Sequence, residues 1–122
     1  VTFDLPYRED LVGDPSSGVI HGGVITTLVD ACCGQAVLTK LPEIRRIATL
    51  DLRIDYLRPA RAGATVRCIC ECYRVTRQVA FTRSICFDGD ENDPVATSAG
   101  TFMLFDDSES SHAAAGLLGD KA

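Results

Sequence analysis

An α+β layout, with one long helix packed on an antiparallel sheet, is predicted by three features of this 122-residue sequence. Gly22 to Leu38 is a long stretch without proline whose single charge is Asp30, and Leu41-Pro42 stops it. Beyond Pro42 the apolar pattern switches to a period of two, which is the signature of half-buried strands. The connections between those strands are short, and short connections join antiparallel neighbours.

Each element follows from its residues. Val1 to Asp10 holds a short strand and its exit. Leu11 to Gly18 (LVGDPSSG) carries two glycines, a proline and two serines, and reads as a turn. The helix comes next. Leu50, Leu52, Ile54 and Tyr56 then alternate with Asp51, Arg53 and Asp55 to make a strand, and Pro59 to Gly63 is a turn. Val66, Cys68, Cys70 and Cys72 alternate with Arg67, Ile69, Glu71 and Tyr73 in the next strand, and the chain reverses near Thr76-Arg77. Val79, Phe81, Ile85 and Phe87 share one face of the following strand, Gly89 to Asp93 (GDEND) is a polar turn, and Val95 to Phe105 is the last strand. Residues 1–106 form the single expected domain. Residues 107–122 lose the pattern and are expected to be a mobile tail, with a short helix over His112 to Leu118.

Composition narrows the function. Seventeen acidic residues against twelve basic ones leave a formal charge of −5, which argues against a general nucleic-acid binder. The basic residues are concentrated: residues 45–83 hold nine arginines and three carboxylates. Such an island attracts anions of limited size, or is simply a solvated strand face. Adjacent Cys32-Cys33 and alternate Cys68, Cys70 and Cys72 suit disulfide pairing poorly, so the six thiols are expected to be reduced and the protein cytoplasmic. On a strand, alternate cysteines lie about 6.5–7 Å apart, too far to share one tetrahedral ion easily. They read as small core residues, and no metal is expected. No stretch reads as a signal peptide or a membrane span.

Asp30 is the chemically informative residue. A helix that is apolar nearly all round is buried, so this carboxylate sits in a mostly dry place, too deep in the helix to be an N-cap. It must find donors, be protonated or serve a purpose. Gly23, Thr26, Thr27, Asp30, Cys33 and Gly34 form one stripe of small residues that another backbone or a ligand could approach, while Ile25, Leu28, Val29, Cys32 and Ala36 pack on the sheet. A plain hydrogen bond from Asp30 to a neighbouring strand or subunit is the competing reading. At the other end, Gly22 and Gly23 open the helix after His21. The first N–H groups of a helix carry partial positive charge and bind anions, and glycine permits close approach. An electrophilic helix start and a carboxylate base are two parts of an acyl-transfer site. Eight residues of helix separate them by roughly 12 Å. One helix cannot bring both to one carbonyl. If both react, the site combines Gly22 of one chain with Asp30 of another, and two-fold symmetry makes two such sites.

Gly18-Val19-Ile20-His21-Gly22-Gly23, then Asp30, then Thr49-Leu50-Asp51-Leu52-Arg53-Ile54-Asp55-Tyr56-Leu57-Arg58-Pro59-Ala60, closing with Ala99-Gly100-Thr101-Phe102, resembles the hotdog-fold acyl-CoA thioesterases, and in particular their PaaI-like, phenylacetate-pathway branch, over residues 5–105. The resemblance implies the hotdog fold, one long central helix wrapped by a five-stranded antiparallel sheet, in homodimers and often homotetramers. It implies hydrolysis of an acyl-CoA thioester without a cofactor. Asp30 then acts as general base or nucleophile, the Gly22 N–H polarises the carbonyl, His21 helps fix that region and Thr49 positions water.

Two departures bear on this. Many relatives carry an asparagine about six residues before the histidine, where this chain has Pro15 between Asp14 and Ser16. An ionised Asp14 would repel an oxyanion. Thr49 also has the strand parity opposite to Leu50, Leu52 and Ile54, so it is expected to face away from its own helix and serve only the dimer side.

His21 reads as a structural hydrogen-bonder more readily than as a proton shuttle. Arg58, Arg61, Arg74 and Arg77 are candidates for the phosphates of CoA, with Gly23 allowing close approach of substrate. Val19, Ile20, Ile25 and Leu28 suggest an apolar lining suited to aryl or medium-chain acyl groups. Two alternatives remain open: a non-catalytic acyl-CoA binding or sensing module, and a hotdog dehydratase.

Overall fold

The computed structural model describes residues 1–106 of the chain. The expected tail and the helix over His112 to Leu118 lie outside the described residues. The elements are β1 (Thr2–Leu5), a 3-10 turn (Glu9–Leu11), β2 (Val12–Asp14), β3 (Val19–Ile20), α1 (Gly22–Lys40), β4 (Ile47–Tyr56), β5 (Val66–Val75), β6 (Val79–Phe87) and β7 (Ala96–Leu104). The main sheet runs β1-β5-β6-β7-β4 and every neighbouring pair is antiparallel. One face of it packs on α1, with contacts from all five strands. This is the hotdog arrangement, and it agrees with the architecture expected above.

The core lies between α1 and the sheet. Ile25, Leu28, Val29, Cys32, Cys33, Ala36 and Val37 are the buried helix residues. Opposite them the sheet presents mostly small side chains: Ala80, Thr82, Ser84 and Cys86 on β6, and Ala96, Ser98 and Gly100 on β7. Small residues there let the helix approach closely. A Cβ on Gly100 would already stand 3.0 Å from Thr82 Oγ1. The expected apolar face of β6 is therefore inverted: Val79, Phe81 and Ile85 point to the outer side of the sheet, half-buried. Cys32, Cys33, Cys68, Cys70, Cys72 and Cys86 are all buried free thiols, as small core residues should be.

Three further expectations need correction. Leu11 to Gly18 is not only a turn, because β2 and β3 pair within and beyond it as a two-stranded ribbon. Cys33 belongs to the core rather than to the exposed small-residue stripe. The helix is also wetter than its composition implied, since Thr26, Thr27, Ala31 and Gln35 are exposed on one protomer. Among the described residues α1 is a helix long and apolar enough to cross a membrane, at 19 residues. Its apolar residues instead pack on the sheet.

Candidate active site

The helix start is built by His21. Its backbone is extended, with φ −60° and ψ 135°, and its Nδ1 accepts the Gly23 N–H at 2.9 Å. An accepting Nδ1 carries no proton, so this bond goes with the tautomer that has its proton on Nε2. His21 also donates its backbone N–H to Leu11 O at 2.9 Å and accepts the Val24 N–H at 3.0 Å. The ribbon thus anchors the cap. Gly13 on β2 must be glycine, because a Cβ there would stand 2.9 Å from His21 Cα. His21 is a structural cap, as its place beside the helix suggested. Gly23 spends its N–H on this cap, so what it offers a substrate is the close approach that a missing side chain allows. None of these bonds uses the Gly22 N–H, one of the orphan donors of the helix start.

Beside Gly22 lies a groove of about 350 Å³ lined by Val19, Ile20, Ile25, Leu57, Pro59 and Val95, with Tyr56 as a further wall. Three of the four expected lining residues are there. Leu28 is not, because it faces the core. Tyr56 Oη donates to Gly22 O at 2.9 Å and meets Thr26 Oγ1 at 2.5 Å.

Asp30 occupies a second, separate hollow of about 300 Å³ with Ala31, Gly34, Gln35, Leu38, Ile47 and Thr49. It is half-buried, and among the described residues it takes part in no ion pair. Among the described residues its one side-chain donor is the Thr49 hydroxyl, at 2.9 Å from Oδ1. Thr49 therefore faces its own helix, against the parity expectation. The cause is a bulge. Thr49 pairs with Phe102 and Asp51 with Thr101, so Leu50 is left without a partner on β7. One extra residue shifts the alternation, placing Thr49 on the same face as Leu52 and Ile54 and turning Leu50 out, 54 % exposed.

The arginines divide. Arg58 is a clamp inside the protein: its Nη1 and Nη2 donate to Asp88 Oδ2 and Oδ1 at 3.0 and 2.6 Å, and Nη2 also reaches Asp93 O at 2.8 Å. With its fork so occupied, Arg58 is not placed to take a CoA phosphate. Arg61 gives Asp88 its backbone N–H at 2.7 Å, while its side chain stays 67 % exposed. Arg74 and Arg77 are exposed at the β5–β6 reversal. Arg58, followed by the Arg61 N–H, holds the Asp88 carboxyl well below the usual carboxylate range despite its burial. Asp14 is likewise lowered, by the hydroxyls of Ser16 and Ser17 at 2.7 and 2.8 Å. An ionised Asp14 folded into its own turn does not replace an asparagine at the carbonyl.

Sequence reasoning missed Tyr56 and Asp88. Tyr56 sat at the polar end of an ordinary strand pattern. Asp88 was hidden beside the GDEND turn, and the near-invisible signal for it was an arginine-rich loop needing a buried counter-ion.

The thioesterase superfamily model matches residues 17–95, which span the helix start, Asp30, Thr49 and Tyr56. The chain belongs to this superfamily, whose members hydrolyse acyl-CoA-like thioesters. Within it the PaaI-type acyl-CoA thioesterases are close relatives. The chain is 30 % identical over 107 residues to the medium/long-chain acyl-CoA thioesterase YigI of Escherichia coli, covering 77 % of this chain and 68 % of YigI. A crystal structure of a Pseudomonas aeruginosa protein is 46 % identical with a TM-score of 0.77, covering 85 % of this chain and 77 % of that one. A variant of the phenylacetic acid degradation protein PaaI from Thermus thermophilus is 28 % identical with a TM-score of 0.72, covering 85 % and 84 %.

Proposed function

We propose that the protein is an acyl-CoA thioesterase whose sites are shared between two protomers. The observation that carries this reading is that both half-sites are tied to one edge strand at opposite ends: Thr49 of β4 holds Asp30, and Tyr56 of β4 holds Gly22. Seven residues of strand put these ends roughly 20 Å apart in one chain. β4 is also the terminal strand of the sheet, ten residues long, with one row of backbone groups free to pair. An unpaired edge of that length invites another strand. Antiparallel pairing of β4 with its copy, about a two-fold axis near its middle, sets each Thr49 across from the partner's Tyr56. Asp30 of one protomer then comes to the Gly22 of the other, twice per dimer.

The chemistry follows. The Gly22 N–H, at the positive end of its helix, donates to the thioester oxygen and stabilises the charge that develops on it. Asp30 of the partner subunit takes a proton from water as the water oxygen attacks the carbonyl carbon. The C–S bond breaks, the proton passes to the departing sulfur, and the products are the free acid and CoA. In the nucleophilic variant, an Asp30 oxygen bonds to the carbonyl carbon, the C–S bond breaks and CoA leaves as its thiolate; water then hydrolyses the mixed anhydride, freeing the acid and the Asp30 carboxylate, and the proton released passes to the thiolate. Thr49 orients the carboxylate by binding one oxygen, leaving the other to act. Exposed Arg61, Arg74 and Arg77 offer forks for the CoA phosphates. The outer apolar face of the sheet supports a further association into tetramers, and six buried free thiols support a cytoplasmic location.

A thiol-release assay over aryl, short and medium acyl-CoAs tests the reading. Multiple turnover by the native protein and a drop of about 10²–10⁴-fold in Asp30→Asn are expected. Single-turnover binding without release would point to a non-catalytic acyl-CoA module.

A further inference from the structure

We infer that Tyr56 is a positioning residue for the reaction: its hydroxyl fixes Gly22, and so aims the N–H that polarises the thioester carbonyl. The inference rests on the proposed function above and gives a role to a residue that the motif contains but to which the sequence assigned none.

The geometry is specific. Tyr56 Oη lies 2.9 Å from Gly22 O and 2.5 Å from Thr26 Oγ1, and Thr26 Oγ1 lies 3.3 Å from Gly22 O. Of the two donors within reach of Gly22 O the Tyr56 hydroxyl is the nearer, and with Tyr56 donating there Thr26 donates to Tyr56. A tyrosine on the sheet thus bonds the backbone of the first helical residue through a relay one helical turn long. On the other side, His21 pins the same turn through the Gly23 N–H. Gly22 O and the Gly23 N–H belong to one peptide group, so Tyr56 and His21 hold that group from its two ends, while the preceding peptide, which carries the Gly22 N–H, is held through the Val24 N–H on His21 O at 3.0 Å. Glycine needs such support, because it has more backbone freedom to lose than any other residue. An oxyanion donor is valuable only when it is aimed before the charge develops.

The ring has a second part in this. Its Cζ and Oη stand 4.0 Å from where a Cβ on Gly22 would be, so the end of the ring lies beside the exposed glycine and walls the adjoining groove. Tyr56 remains 51 % exposed, so core packing does not explain its hydroxyl contacts. The residue occupies the end of β4 opposite Thr49. One strand therefore aims both reacting groups, the carboxylate through Thr49 and the amide through Tyr56.

Tyr56→Phe tests this, since it keeps the ring and groove wall and removes only the hydroxyl. The expected result is a fall in kcat of about 5–20-fold with KM within about twofold, the pattern of an interaction lost in the transition state alone. Thr26→Val should lower kcat less, and the double variant should fall short of the product of the two effects. Hydrogen exchange at the amides of residues 23–26 should quicken in Tyr56→Phe by about fivefold or more, while the thermal midpoint stays within about 3 °C of native. Unchanged kcat, unchanged exchange at the helix start, or a loss that merely follows a fall in global stability would each overturn the inference. If the native protein turns over no acyl-CoA, the proposed function fails, and the exchange measurement still decides whether Tyr56 holds the helix start.

Discussion

Thr49 donates its hydroxyl hydrogen to Asp30 at 2.9 Å, and it reaches Asp30 only because Leu50 is bulged out of the β4–β7 ladder. The bond fixes one carboxylate oxygen, and among the described residues no side chain donates to the other. It also explains how a carboxylate without a cation partner is tolerated on an apolar helix, since a single charged hydrogen bond contributes about 1.5–3 kcal/mol.

Thr49→Val should lower kcat by about 10-fold with a near-native thermal midpoint, and Thr49→Ser should restore most of it. Steady-state thiol release and thermal unfolding check both statements. A valine variant with native kcat would remove Thr49 from the site.

Sharing of the site between protomers predicts complementation. Gly22→Pro removes the N–H donor yet suits the first position of a helix, and the extended His21 before it accommodates proline. Gly22→Pro and Asp30→Asn homodimers should both be inactive. Co-refolded in equal amounts, they form heterodimers with one intact site, and the mixture should recover about a quarter of native activity. Absence of recovery in verified heterodimers would place the whole site within one protomer.

Asp88 predicts acid sensitivity. Its folded pKa is depressed by Arg58 and the Arg61 N–H, so the unfolded state binds a proton more readily. The stabilisation is fully present above the unfolded carboxylate value of about 4 and is lost as pH falls below it. Urea midpoints measured from pH 7 to pH 3 should fall for the native protein. Asp88→Asn should be less stable at pH 7 by about 3 kcal/mol and lose less on acidification, because it leaves a largely enclosed Arg58 with only the exposed Asp93 as counter-ion. Equal acid sensitivity in the two proteins would show that other carboxylates set the transition.

Gly13→Ala should loosen the helix cap. The added methyl must displace His21 backbone, at a cost of about 1–2 kcal/mol. Both the thermal midpoint and thioester hydrolysis should decline, and an unchanged protein would mean that the ribbon does not support the cap.

Much of the protein could be read before folding it. The long run around Asp30, the period-two segments and the short polar turns specify local structure, and local structure follows from near neighbours. His21-Gly22 ahead of a lone acid was enough to expect a split site, because helical rise is the same in every protein. The reach of Thr49 was not legible. Strand parity is a rule about regular ladders, and the bulge at Leu50 depends on how β4 registers against β7, far along the chain. Arg58 was misjudged for the same kind of reason. An arginine in a loop is available to phosphate until a distant carboxylate claims it, and Asp88 is 30 positions away. Tyr56 and Gly22 lie 34 positions apart and meet only when the sheet closes on the helix. The order of residues therefore determined the elements and the candidate groups, whose properties are carried by the chain locally. Tertiary structure alone decided which way those groups are aimed, because aim depends on contacts between segments that have no neighbourhood until the chain has folded.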